Sequence, residues 1–373
     1  MTNASPVLTY CGNVHPAEDL HGWLTVLEGF SAGLWKSRRP RPFPLGVWWN
    51  AATVETLVGD AAARARVGEA LARHGLTVGT LNVFPFGSFH GERVKEAVYR
   101  PDWSREERLH YTRGAAEVAA GLVPGGTVLP ISTLPLGHGS GDLRQMARNL
   151  VRAASAFRAL EERTGVQVLL CLEPEPLCLL ETVAGTVAFL EEWVFREGAW
   201  ATVEEATLRR HLGVCVDLCH LAVVGEDPLA AARRCAGSGV TVGKIQVSAC
   251  LELRDPAALD RLLAYDEPRY LHQTVAAGGA RALDLGEVRA RAAEFRRGGT
   301  LRTHFHVPIF WDDAGPLGST RAELERALAG WPRPLPLLEV ETYTWGVLQG
   351  QGRAEPDLAA GIEAELEFLR QRV

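Results

Sequence analysis

The residues in this chain best suited to chemistry stand at the ends of short apolar runs. Val166-Gln-Val-Leu-Leu-Cys-Leu leads to Glu173, and Gly213-Val-Cys-Val leads to Asp217 with His220 three residues on. Val240-Thr-Val-Gly-Lys-Ile leads to Gln246, Leu301-Arg-Thr to His304 and His306, and Leu335-Pro-Leu-Leu-Glu-Val to Glu341. A catalytic divalent cation needs carboxylate oxygens and imidazole nitrogens converging from several segments, with a position left open for substrate or water. Singly these signals are ordinary. A strand-end Glu often caps a loop, a lone His more often holds a structural hydrogen bond, and Gln246 reads equally as a plain amide. Their recurrence at successive run ends marks Glu173, Asp217, His220, Gln246, His304, His306 and Glu341 as candidate metal ligands.

Side chains two apart in a strand share a face. Glu339 and Glu341 therefore point the same way; Glu341, nearer the end of its run, is the expected ligand and Glu339 a buried partner. By the same rule either His304 or His306 ligates while the other orients or acts as acid or base. Glu173, Glu341, His220 and His306 are the expected catalytic groups. Lys244 shares a face with Gln246 and is placed to neutralise a carboxylate or hold an anionic substrate. His15 and Asn82, beside the first and third runs, and His90 and Lys95, in a long irregular stretch, are further candidate substrate contacts.

These groups can meet only if the runs are strands of one sheet. The runs are too short and too β-branched for helices, and several are continuously apolar, as in parallel sheets buried on both faces. Between them lie helical patterns: Ala17–Phe30, Ala51–Gly75 with Gly75 as a stop, Ser104–Leu122 with Ser104 and Glu107 as a capping box, Leu143–Thr164, and Asp357–Arg372. Alternating strands and helices imply right-handed crossovers and a parallel sheet, and eight such units can close into a barrel whose site lies at the C-terminal mouth. There is one run too many. Pro308 makes Leu301–Phe310 a poor central strand, so the expectation is an extended segment at about 301–312, with Leu337–Glu341 as the eighth strand. The irregular stretch 85–103 is long enough to expect function or a lid. No linker or repeat divides the chain, so residues 1–373 are expected to form one (β/α)8 TIM barrel domain.

The net charge of −6 gives no basic face for a nucleic-acid backbone, and Lys36-Ser-Arg-Arg39 is expected to be solvated loop. The first residues lack the cationic and apolar segments of a secretory signal, and no uncharged apolar run of about 20 residues suggests a membrane span. The seven cysteines include four in or beside strand-like runs and form no CxxC pair, which suggests buried reduced thiols in a cytoplasmic protein.

Leu172-Glu173-Pro, Val214-Cys-Val-Asp217-Leu-Cys-His220 and Leu338-Glu-Val-Glu341-Thr resemble the strand-five, strand-six and strand-eight signatures of the xylose isomerase-like (AP endonuclease family 2-like) barrels. That superfamily includes sugar isomerases, ketose 3-epimerases and endonuclease IV. More closely, the chain resembles the EboE family, the metabolite traffic proteins of the ebo gene cluster. This rests on Leu8-Thr-Tyr-Cys-Gly-Asn-Val-His-Pro, Phe86-Gly-Ser-Phe-His90, Val98-Tyr-Arg-Pro-Asp-Trp103, Ile131-Ser-Thr133, Thr303-His-Phe-His-Val-Pro308 and Leu338-Glu-Val-Glu-Thr-Tyr-Thr-Trp345. The resemblance implies metal-binding carboxylates at Glu173, Asp217 and Glu341, and places His220 on the histidine of a DxxH motif. Gln246 departs from it, standing where relatives usually supply a histidine ligand that His304 or His306 would replace. The expected function is a metal-dependent isomerase or epimerase of a small sugar- or cyclitol-like polyol, with zinc, manganese, iron or cobalt as the cation and other ebo-cluster proteins as partners. Metal-dependent hydrolysis and a non-catalytic metabolite-binding barrel are the alternatives.

Overall fold

In the computed structural model, residues 6–31, 42–91, 93–311, 315–350, 352 and 357–373 are described. The basic stretch 36–39 and the last residue of the segment 301–312 lie outside them. Seven strands are met first: β1 (Leu8–Tyr10), β2 (Phe43–Trp48), β3 (Leu76–Asn82), β4 (Val128–Thr133), β5 (Gln167–Leu172), β6 (Leu212–Asp217) and β7 (Thr241–Val247). Four short antiparallel strands and β10 (Arg281–Ala282) belong to the region that follows: β8 (Ala249–Leu253), β9 (Thr274–Ala276), β11 (Leu301–Val307) and β12 (Leu317–Ser319); β13 (Leu337–Val340) closes the series.

The barrel sheet runs β1-β13-β7-β6-β5-β4-β3-β2, every neighbour parallel. A parallel bridge from Cys11 to Gly46 joins its two ends into a nearly closed barrel. Gly46 is needed there: a Cβ would stand 2.1 Å from Glu339 Oε1 and 2.5 Å from the Tyr10 carbonyl oxygen. The strands are apolar because both faces are covered, one by barrel interior and the other by helices; five of the six residues of β5 and all of β6 are buried.

Most helices lie where the periodicity put them, and caps explain the exceptions. Leu143–Thr164 is capped by Asp142 and ended by Gly165 at φ 70. The Ala51–Gly75 stretch is two helices, Ala51–Gly59 and Ala61–His74, because the Asp60 side chain accepts from the amides of Ala62 and Ala63 and restarts the chain. The helix expected from Ser104 begins at Glu106 instead. Ser104 makes no capping bond to it; its amide and hydroxyl both donate to Asp102 Oδ1. The helix expected over Ala17–Phe30 is regular only over Leu20–Val26.

After β7 the chain leaves the barrel at Ser248 and builds a second sheet, ordered β10-β9-β11-β8-β12 and antiparallel throughout. The His-containing run is therefore a strand, where an extended loop was expected, although it lies outside the barrel as expected. Pro308 is no obstacle because it falls one residue beyond β11, where its missing N–H removes no ladder bond. The irregular stretch 85–103 packs around a short 3-10 turn, Lys95–Tyr99. No described helix is long and apolar enough to cross a membrane.

Candidate active site and metal centre

The site is assembled where strands end. Asp217 is both the last residue of β6 and the cap of the helix Leu218–Val224, so its Oδ1 accepts from the His220 amide at 2.9 Å. The Ser248 hydroxyl, at the exit from β7, donates to the same oxygen at 2.8 Å. Capping also fixes His220 on the first turn, and its Nδ1 donates to the Pro174 carbonyl at 2.9 Å. Glu173 follows β5 directly, its amide bonded to the Thr133 carbonyl of β4 at 3.0 Å. Glu341 follows β13; its Oε1 accepts from Asn13 Nδ2 at 2.8 Å and Asn82 Nδ2 at 3.3 Å. His306, on β11, donates from Nδ1 to the Glu341 carbonyl at 2.6 Å, leaving Nε2 as a lone pair.

What these anchors leave over is a converging set. Glu173, Asp217 and Glu341 bring carboxylate oxygens within 4.8 Å of one another, and Asp217, His220 and His306 form an overlapping group. His306 Nε2 lies 3.9 Å from Asp217 Oδ2. Glu173 Oε2, Asp217 Oδ2, Glu341 Oε2 and His306 Nε2 are all buried without a hydrogen-bond partner. Such orphaned acceptors are costly unless something satisfies them. Three carboxylates and one imidazole lone pair fit a divalent cation of mixed oxygen and nitrogen preference. The electrostatics agree. Burial, then the nearby Glu341 and Asp217 carboxylates, push the Glu173 pKa well up; burial, then Asp217, push Glu341 up to about 8.

A second feature lies beside this set. His304 Nδ1 is 2.8 Å from Gln273 Oε1 and 3.4 Å from Glu175 Oε1, so it carries the proton. His220 Nδ1 faces a carbonyl and is likewise protonated. In their neutral forms the two Nε2 lone pairs therefore face each other across 3.0 Å, an arrangement that asks for a proton or a cation between them. Burial drives the His220 pKa down to about 4 and, aided by His220, holds the His304 pKa well below the usual imidazole value, which disfavours the proton. Glu175 stands close enough to both rings to join them in a metal-sized group.

Other candidates lie elsewhere. Lys244 is fully buried and its Nζ meets Glu339 Oε2 at 2.5 Å; burial, the largest single influence, would lower its pKa, but Glu339 together with Cys215, Cys11 and Glu173 raises it. Lys244 neutralises a carboxylate inside the barrel and does not line the pocket. Gln246 accepts from the Cys215 thiol at 3.2 Å and leaves Nε2 without a partner. His15 pairs with the Tyr10 hydroxyl at 2.9 Å, and His90 Nε2 with the Asn13 carbonyl at 2.7 Å; neither lines the pocket. Asn82 and Lys95 do. The pocket is lined by Glu173, Glu341, His220, His304 and His306 with an aromatic wall. Sequence reasoning passed over Asn13, Glu175 and Ser248. Each is a polar residue at or just past a strand end, two residues from another candidate. Gln273 carried no such signal.

A family described as xylose isomerase-like TIM barrel matches residues 49–254, more than half of the chain. The chain belongs to this family. Among solved xylose isomerase-like barrels, it is similar to a D-psicose 3-epimerase from Clostridium cellulolyticum H10 crystallised with D-tagatose, at 13% identity, covering 98% of each chain with a TM-score of 0.50. It is also similar to a D-allulose 3-epimerase from Methylomonas sp. in complex with D-allulose, at 12% identity, covering 99% of this chain and 98% of that one with a TM-score of 0.49. No curated protein matches the chain in sequence. At 13% identity the shared barrel is what the likeness to the D-psicose 3-epimerase establishes.

Proposed function

We propose that the protein is a metal-dependent isomerase or epimerase of a small polyhydroxylated molecule. The observation that carries this is the convergence of Glu173 Oε2, Asp217 Oδ2, Glu341 Oε2 and His306 Nε2, buried and unpartnered, at one end of a xylose isomerase-like barrel. Those four residues would hold the cation, with His306 taking the place that Gln246 leaves. When bound, the cation supplies Lewis acidity toward adjacent substrate oxygens. Asn13 and Asn82 hold one oxygen of Glu341, which fixes the orientation of the other toward the cation position. Glu173 and Glu341 then remove and return a proton at carbon, a role typically worth about 10²–10⁴-fold in rate. The names of the solved 3-epimerases favour a sugar-like substrate. The resemblance to EboE proteins suggests a metabolite made or moved by that cluster, with other ebo proteins as partners. The seven buried free thiols favour the cytoplasm, and residues 1–373 act as one unit.

The test uses the metal-loaded chain with candidate ketoses and cyclitols in deuterated water. Deuterium at carbon is expected, and Glu341→Ala should lose both bound metal and at least about 10²-fold of the exchange. Full metal content and full turnover in that variant would sink the proposal. Hydrolysis is the second reading, favoured by the facing Nε2 atoms of His220 and His304, which offer a further cation position beside the first. Uptake of oxygen-18 from water, with no deuterium at carbon, would select it.

A further inference from the structure

The lining of the pocket is segregated, and the segregation bears on what fills it. Its open ligating atoms are gathered at the carboxylate centre. Beside them stands an aromatic triad: Phe89 to Tyr270 at 5.1 Å between ring centroids, Tyr270 to Tyr343 at 4.9 Å, and Phe89 to Tyr343 at 5.6 Å. Tyr343 lies 4.8 Å from the His306 ring, so this wall begins directly next to a candidate ligand. Val94 and Val98 extend it.

The amide and ammonium donors of the lining are already engaged. Asn13 and Asn82 each give one Nδ2 hydrogen to Glu341. Lys95 Nζ is held by Asp284 at 2.6 Å and by the carbonyls of Tyr270 at 2.7 Å and Glu267 at 3.2 Å. Glu175 accepts from Tyr99 at 2.6 Å and Gln273 at 3.1 Å. A bare hexose would bring several hydroxyls away from the metal, where the Tyr270 hydroxyl, buried and without a partner, can meet one of them; each left unpaired costs roughly tenfold in affinity. A sugar phosphate would bring a dianion to a pocket of carboxylates whose one described lining lysine is already neutralised.

We propose that the substrate is a neutral polyol carrying an apolar ring or alkyl substituent, with adjacent oxygens at the carboxylate–histidine centre and the substituent against Phe89, Tyr270 and Tyr343. This rests on the metal-site reading above and narrows it. The bare polyols and phosphorylated sugars are thereby demoted in favour of an ether- or carbon-linked conjugate.

The experiment is calorimetric titration of the manganese-loaded full chain with matched probes: D-fructose, 6-O-benzyl-D-fructose and D-fructose 6-phosphate, and the same three forms of myo-inositol. In at least one series the benzyl ether should bind at least about tenfold more tightly than its parent, with the phosphate weakest. Phe89→Ser should bring benzyl ether and parent toward parity while manganese content is unchanged; Val98→Ser, at a half-buried position, provides the same reading if Phe89→Ser does not fold. A parent or phosphate binding as tightly as the ether in both series, an unchanged preference in the variants, or no binding of any probe overturns the proposal. Metal content is measured separately by elemental analysis. A chain that keeps the benzyl preference without holding manganese would refute the metal-site reading and leave the apolar pocket standing.

Discussion

Asp217, His220, His306 and Glu341 each use one atom to grip the scaffold and turn another toward the site. Asp217 does so through Oδ1, which takes two donors, and His306 through Nδ1, whose proton goes to the Glu341 carbonyl. That division sets the tautomers and keeps the free atoms aimed inward. Ser248 tests it. In Ser248→Ala, Asp217 keeps only the His220 amide on its anchored oxygen and gains rotational freedom. Metal affinity is expected to fall about 10–100-fold, read by competition with a chromophoric chelator, while stability in excess chelator falls by about 1–3 kcal/mol because the buried Cys219 amide loses its acceptor. Affinity equal to that of the parent would mean that Ser248 does not orient Asp217. Sequence alone marked six of the seven candidate ligands as side chains able to bind a cation strongly, plus Gln246, yet it could not say which atom of each remained open.

At the scale of elements, two attachments shape the mouth. One is the second sheet, which carries His304 and His306 to the barrel strands' ends. The other is the last helix, Leu358–Arg370, which grips the segment following β13 through Glu365. Glu365 is buried and accepts from the Thr342 hydroxyl at 2.6 Å, Trp345 Nε1 at 2.9 Å and the Ile309 amide at 3.1 Å. Burial outweighs these donors and lifts its pKa to about 7. A carboxyl whose folded pKa is raised keeps its proton longer in the folded state than in the unfolded one. Its contribution to stability is therefore lost as pH rises from the ordinary carboxyl value toward 7, by at most about 3 kcal/mol at 1.36 kcal/mol per unit. Glu365→Gln removes this titration. Denaturant unfolding from pH 4.5 to 8 should show the parent losing stability relative to the variant as pH rises; a constant difference would show that Glu365 does not titrate in this window. The helix's existence was legible from its periodicity. The burial of Glu365 was not, because an acidic residue in an amphipathic pattern reads as solvent-facing until the segment it covers is known.

Across the whole molecule, barrel closure decides where the charges sit. The approach of β1 to β2 brings Gly46 against the Tyr10 carbonyl and the Glu339 side chain, with no room for a methyl group. The same closure holds the Lys244–Glu339 pair beneath the carboxylate centre. Gly46→Ala is expected to cost about 1–3 kcal/mol through overpacking, measured as a shift of the urea midpoint. Because Glu339 must move, the variant should also bind its cation more weakly. A variant as stable as the parent would mean that the seam between β1 and β2 is looser than the bridge at Cys11 and Gly46 indicates.

What the amino-acid order determined by itself was local: which runs extend, which stretches coil into helices, and that acidic and imidazole groups fall just past strand ends. These follow from side-chain branching, period and capping chemistry, which act over a few residues. Tertiary structure alone decided that His306 rather than Gln246 faces Asp217, that His220 meets His304 across 84 positions of chain, and that Lys244 is locked away from the pocket. Those outcomes depend on which strands pair and how the barrel closes, and such long-range packing leaves no periodic trace in the residues that it brings together.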